Sequence, residues 1–429
     1  MNYTYKNIWL INFPVMMSVL IEQLINITDA IFLGHLGEIE LGASALAGIW
    51  YLAIYMLGFG FSLGLQVVIA RRNGERNYIE TGKTFFQGLF FLSGLAVFLW
   101  LIFKLLSPII LSRLITSAEV YHAVMDYLDG RIWGLLFSFP FLALRSFLVG
   151  ITDTKALNMA ALTAVLVNIP SNWLLIFYWN MGIAGAAIAS SFAEACSLAV
   201  LAICVSRKMD KRFYGLSWSF DKGVLFHVCR VSVWSMFHSF ISVAPWFLFF
   251  VAIEHLGELQ LAVANILRSI STLFFVIVNS FAATTGSLVS NLVGANERGQ
   301  VFSLCGRIIR LGYLIGLPLI ALAMVFYPSV ISIYTDNPVI LQVAWLPFVV
   351  MLLNYVFALP GYVYMNAVTG TGATRTAFIF QVITIAAYLL YLWGLSHRDV
   401  LLAVYWTVEY LFVIGLGVQS VIYLKYKHY

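Results

Sequence analysis

The chain is predicted to be an all-α integral membrane protein: twelve transmembrane helices in two pseudo-symmetric six-helix lobes. Three observations predict this. First, 62% of the 429 residues are hydrophobic and only 10% are charged, against about 25% charged in soluble domains. Second, the apolar residues fall into long runs separated by short polar breaks, and each run is long enough to cross a bilayer. Third, short peptides recur at one offset, so the second half repeats the first.

The runs place spans near 8–34, 42–70, 83–107, 120–149, 156–179, 183–206, 224–254, 259–292, 301–327, 338–367, 374–396 and 400–424. The first run leads into a polar break and not into a cleavage site, so no cleavable leader is expected. Lys and Arg collect on one side of these spans: Lys6, Arg71, Arg72, Arg76, Lys83, Lys155, the stretch 207–222, Arg298, Arg307, Arg310, Arg375, Lys425 and Lys427. The other side holds Lys104, Arg113 and Arg398. The positive-inside rule then puts both termini in the cytoplasm of a multi-pass plasma-membrane protein, the inner membrane in a bacterium. The net charge of +5 speaks of topology and lipid headgroups rather than nucleic acid. Cys196, Cys204, Cys229 and Cys305 sit in or beside apolar runs without ligand spacing, so neither disulfides nor a metal site are expected.

HLGEIEL at His35 returns as HLGELQL at His255, and GITDTK at Gly150 returns as GTGATR at Gly370, both 220 residues on. GER at Gly74 pairs with NER at Asn296, displaced by 222. Six spans per half make the repeats parallel, related by an axis along the membrane normal. The expected organisation is an N-terminal lobe 1–206, a basic cytoplasmic linker 207–222 and a C-terminal lobe 223–429. Pro14, Pro140, Pro170, Pro245, Pro318, Pro347 and Pro360 mark bends, since each removes an intrahelical hydrogen bond. Gly58, Gly60 and Gly64 permit close packing or flexing of the second span.

The first span carries Glu22, Asn26 and Asp29, spaced four and three apart on one helical face. A carboxylate at that depth is costly unless it faces protein, water or a partner, which makes Asp29 a functional-site candidate. The fifth span supplies Asn168 and Asn172, four apart, with Pro170 between them freeing the carbonyl of Leu166. The sixth adds Ser190 and, one turn on, Glu194. Amides, a hydroxyl and a freed carbonyl beside a carboxylate form an oxygen cage suited to a small cation. Adding the repeat offset to Asp29, Glu22 and Asn168 gives Phe249, Ser242 and Tyr388. A polar face needed only as glue for a shared fold would recur in both halves, so this asymmetry favours function. Arg145 is placed to pair with Glu22. Asp126, Asp129 and Arg131 are expected to pair at the outer interface. The isolated charges Arg268, Glu409 and His238 in the second half are read as pairing within or between the lobes. Trp50, Tyr51, Met56, Trp133, Trp234 and Phe237 are candidates to line a cavity for flat, lipophilic, often cationic ligands.

The proline-then-aspartate first span ending in FLGHLG resembles that of the multidrug and toxic compound extrusion (MATE) family. So do FLVGITDTK at Phe147 and MGIAGAAIASS at Met181. The resemblance covers nearly the whole chain. It implies a V-shaped pair of six-helix lobes around a central cavity. It implies export of drug-like or amphipathic compounds in exchange for H⁺ or Na⁺ by alternating access, with no cofactor. It also implies the type with its cation site in the first lobe: Asp29 and Asn168 match, and Ser190 stands for a threonine. Asn172 replaces an aspartate, and Glu22 stands where an uncharged polar residue is usual. Na⁺ would sit at Asp29 and Asn168. The acids that other members use in the second lobe fall on Ser242 and Ala358, so no site is expected there. A lipid-linked oligosaccharide flippase of the same superfamily is the alternative, and it would need a more cationic cavity. No HExxH, paired-Asp or Ser/His constellation lies in the spans, so an enzyme is not expected. The expected partners are the bilayer and a small-molecule substrate, with the protein acting as a monomer.

Overall fold

The computed structural model describes residues 3–34, 36–115, 117–210, 212–216, 219–254, 256–334, 337–398 and 400–426. The Glu22 side chain lies outside the described set, as do His35 and His255 of the repeated peptides. The described residues form helices and no strands. In chain order these are α1 (Tyr5–Gly34), α2 (Glu38–Gly74), α3 (Tyr78–Leu114), α4 (Ala118–Arg131), α5 (Gly134–Gly150), α6 (Lys155–Trp173) and α7 (Gly182–Lys208). The second half contributes α8 (Lys222–Ile241), α9 (Val243–Glu254), α10 (Glu258–Gly294), α11 (Val301–Val325) and α12 (Tyr327–Ser332). It ends with α13 (Pro338–Gly370), α14 (Thr374–Ser396), α15 (Leu402–Tyr405) and α16 (Thr407–Tyr426). Among the described residues eleven helical stretches are long and apolar enough to cross a membrane, and twelve if α4 and α5, bent by 45° at a short break, count as one span. The chain is thus a multi-pass membrane protein of the predicted class.

The repeat is written in the backbone. Helices α2 and α10 both run 37 residues and end at Gly74 and Gly294. Each closes on a left-handed residue, Arg76 (φ 59°) and Asn296 (φ 62°), 220 apart. The turn hydrogen bonds match pair for pair, Arg76 N–H to Asn73 and Asn77 N–H to Arg72 against Asn296 N–H to Val293 and Glu297 N–H to Leu292. The displacement of 222 read from GER and NER is therefore a coincidence of letters; the structural offset there is 220 as elsewhere. Thr152 (φ 63°) and Gly372 (φ 88°) are a second such pair. Glycine meets this left-handed demand without strain, and asparagine tolerates it.

Repeat and compact units divide the chain differently. One unit is Phe13–Phe240; the other joins Met1–Asn12 to Ile241–Tyr429. The physical reasons are local. At the start of α1, buried Asn12 accepts a hydrogen bond from Thr284 (2.9 Å), and the Tyr3 carbonyl accepts one from Arg307 (2.8 Å). At the other boundary, α8 lies backbone to backbone on α2. A Cβ added at Gly64 would stand 2.4 Å from the Ser232 Cα, and one at Gly60 2.4 Å from the Ser235 carbonyl. The linker is folded onto the first half: Gln87 donates to the Ser219 carbonyl (2.7 Å), and Phe213 stacks on Tyr78 (4.3 Å).

Within the first unit α2 packs on α3, α4 and α5, and α6 packs along α7. Within the second, α13 packs on α10 and α16. Small-residue contacts such as Gly60 and Gly64 on Ser232 and Ser235 drive close helix approach in lipid, where no hydrophobic force separates helix from solvent. Gly64→Ala is expected to lower stability by about 1–3 kcal/mol through overpacking. Gly94→Ala, which meets nothing within 4 Å, should leave stability unchanged or slightly raised. Thermal unfolding of both variants in detergent checks this, and equal melting of the two would contradict the close contact.

Candidate functional site

The site is built on α1, α6 and α7. Asn168 and Asn172 are one turn apart on α6 and fully buried, and Ser190 on α7 is buried beside them. Their spacing of four stacks both amides on one face of α6. Just past Asn172 the helix widens into a π-turn over Leu174–Tyr178, a distortion that recurs at functional sites.

Asp29 closes the site from α1. Its Oδ1 accepts from Asn172 Nδ2 (2.6 Å) and from Asn168 Nδ2 (3.2 Å). Its Oδ2 accepts from the Ser190 hydroxyl (2.6 Å). The donors are linked to one another: Asn172 donates to Asn168 Oδ1 (3.1 Å), and Asn168 Nδ2 also reaches Ser190 Oγ (3.2 Å). Three donors on one carboxylate, supplied by two other helices, give the arrangement that lets a membrane-embedded acid persist. Both amides turn their nitrogens to the carboxylate, and the buried Oδ1 of Asn172 has no hydrogen-bond partner among the described residues. The carboxylate is the group here that can take up a proton, and the amide and hydroxyl side chains beside it also carry oxygens. Among the described residues no cluster of three or more His, Cys, Asp or Glu could hold a metal.

Asp29, Asn168, Asn172 and Ser190 are thus brought together, and the other candidates are not. Asn26 is exposed on α1. Glu194 pairs with Arg131, whose Nη2 donates to its Oε1 at 2.6 Å. Arg131 had been expected at the interface. It is instead the last residue of α4, at the 45° bend before α5, with its side chain only 16% exposed. Asp126 and Asp129, expected beside it, are exposed on the opposite face. The bend frees the Gly130 carbonyl, and the Ser191 hydroxyl takes it up (3.0 Å). The guanidinium lies 4.3 Å from the centre of the Tyr51 ring. Arg145, placed by sequence beside Glu22, lies over the Phe59 ring at 5.8 Å.

The aromatic candidates divide. Trp50 donates to Ser107 on α3 (3.0 Å), and Trp133 meets Trp100 of α3 with ring centres 5.1 Å apart. Tyr51 is held under Arg131. Met56 and Trp234 are half-buried, and Phe237 is exposed on α8. In the second half Tyr388, which takes the place of Asn168, donates to buried Glu409 (3.0 Å), and Phe249, in the place of Asp29, is buried against Trp406. Arg268 lies over the Phe250 ring at 5.1 Å.

The MatE family profile matches residues 14–174 and 235–392. A probable multidrug resistance protein NorM from Photorhabdus laumondii is 24% identical over 359 residues, 82% of this chain and 78% of that protein. Among solved structures, an outward-facing multidrug resistance MATE family transporter of the MOP superfamily superposes with TM-score 0.88 at 21% identity, covering 97% of this chain and 94% of that one. A MOP superfamily transporter from Pyrococcus furiosus superposes with TM-score 0.87 at 21% identity, covering 98% and 94%. These relatives are transporters and not enzymes. With both halves of its repeat matched and its whole length sharing their fold, the chain belongs to the MatE family of membrane transporters.

Proposed function

We propose that the protein is a secondary antiporter that exports drug-like or amphipathic, often cationic, compounds in exchange for H⁺ or Na⁺. The observation that carries this reading is the Asp29 carboxylate held by Asn168, Asn172 and Ser190. A cation arriving from outside neutralises Asp29 and loosens its hold on the three donors. α1 then repacks against α6 and α7, and the protein changes the face on which substrate is released. Return of the ion to the cytoplasm restores the network. One inward charge gains about 2.3 kcal/mol per 100 mV, enough to drive export. The relatives named for multidrug resistance support the substrate class. Arg131 is already neutralised by Glu194, which disfavours a pyrophosphate-bearing lipid as cargo. Trp50 and Trp133 brace α3 in this reading, while Met56, Trp234 and Phe237 contact substrate. In this reading the lobes 1–206 and 223–429, joined by the linker 207–222, exchange the start of α1, held to α10, and α8, held to α2, in a plasma membrane with both termini cytoplasmic and one chain per transporter.

The test is efflux of a fluorescent cation such as ethidium from vesicles with an imposed pH or Na⁺ gradient. Asp29→Asn is expected to abolish gradient-driven efflux under either ion while leaving the protein folded. Unchanged coupled efflux would sink the assignment. Asn168→Ala removes one donor from a buried carboxylate, a loss of about 1–3 kcal/mol. It should therefore shift the ion concentration for half-maximal efflux by about tenfold to a hundredfold. An unshifted ion dependence would remove Asn168 from the site.

A further inference from the structure

The Arg131–Glu194 pair is not part of the four-residue network, yet it is mostly shielded from solvent and adjoins it along α7, where Ser191, next to Ser190, bonds the Gly130 and Arg131 carbonyls. Arg131 and Glu194 are 16% and 25% exposed. The pair is also not a requirement of the shared fold, since the residues 220 further on are Met351 and Ile414. A buried ion pair contributes little net stability compared with an apolar pair of the same size, so its presence in only one half calls for another reason.

Its geometry keeps it in place. The guanidinium is fixed by Nη2 on Glu194 Oε1 and by the Tyr51 ring beneath it. The second arm of each partner, Arg131 Nη1 and Glu194 Oε2, is buried without a hydrogen-bond partner among the described residues. Both converge above Gly134, where an added Cβ would lie 2.4 Å from each of them and 3.2 Å from Ser191 Oγ. A side chain at residue 134 would crowd these second arms; glycine leaves them room. A guanidinium stays protonated under all physiological conditions. Among the described side chains the buried charges at this end of α1, α4 and α7 are then Asp29, Glu194 and Arg131.

We propose that Arg131 is a resident cation that cancels Glu194 permanently and thereby sets the ion stoichiometry. The cluster carries one net negative charge, that of Asp29, and takes up one monovalent cation per transport cycle. This rests on the Asp29 site proposed above. Without Arg131, Glu194 is left as a second uncompensated carboxylate in a low-dielectric interior and has to draw a second cation from solution. Without Glu194, the nearby guanidinium is released to neutralise Asp29 itself, and the external ion is no longer needed.

The experiment uses the full chain in proteoliposomes, ethidium as the transported probe, and a proton or a Na⁺ gradient imposed in separate runs. The measured quantity is the ethidium gradient at which net flux reverses. With the membrane potential held at zero, one ion per ethidium means that a tenfold ion gradient holds about a tenfold ethidium gradient, and two ions mean about a hundredfold. The wild type is expected to give one. Arg131→Gln should give two. Glu194→Gln should let ethidium run down its own gradient whatever ion gradient is imposed, although Glu194 does not touch Asp29. Arg131→Gln/Glu194→Gln should return to one, and this charge-balanced variant decides the matter if Arg131→Gln alone does not fold. Two ions per ethidium in the wild type, normal coupling in Glu194→Gln, or a folded double variant that does not return to one would each overturn the proposal. Coupled efflux retained in Asp29→Asn would instead overturn the site. Coupling lost there, with two ions in the wild type, would overturn only the stoichiometry.

Discussion

A carboxylate in a hydrocarbon layer is tolerated only when something holds it, and the first half of this chain is arranged around that requirement. Asp29 sits on α1, but every donor that satisfies it comes from α6 or α7. The position of α1 is thereby tied to the charge on one oxygen pair. Asn168 and Asn172 are fully buried and also bond one another and Ser190, and a π-turn follows them. The chemistry and the packing of these three helices are one interaction described twice.

The second half shows what the same scaffold does without that constraint. At the equivalent places stand Phe249 and Tyr388, and the interior is filled by rings: Phe249, Trp246 and Trp406 pack edge to face. A buried acid of this half, Glu409, lies on α16 and accepts a hydrogen bond from the Tyr388 hydroxyl. A duplicated fold has kept its helix ends to the residue, Arg76 with Asn296 and Thr152 with Gly372, while its interior polarity has diverged. The left-handed turns recur at the offset of 220, whereas the carboxylate of α1 and its amide partner on α6 do not.

Much of this was legible in the sequence. The spans follow from run length alone, because a bilayer fixes how many apolar residues a helix needs. Asn168 and Asn172 follow from i, i+4 spacing, because polar residues stacked on one face of an apolar helix have to meet something, and Asp29 follows from being a carboxylate inside an apolar run. Arg131 was not legible. Its partner is 63 residues away on another helix, and the bend that turns it inward falls between Arg131 and Gly134 with no proline to announce it. Spacing along one helix carries no information about such a contact. Asn26 shows the converse: it shares the helical face of Asp29 by periodicity but is exposed, since a face three residues wide is broader than the strip that α6 and α7 cover. The unit boundaries inside α1 and at the end of α8 were also hidden, because helix–helix contacts such as Gly64 on Ser232 depend on geometry that the repeat does not encode.

The claim that the exchanged ion acts at Asp29 is tested most directly by infrared difference spectroscopy of the reconstituted protein as pH or Na⁺ is stepped. One carboxyl group should respond, with paired bands that vanish in Asp29→Asn and shift when Ser190 is replaced by Ala. A difference spectrum that is the same in Asp29→Asn as in the wild type would place the ion elsewhere and contradict the claim.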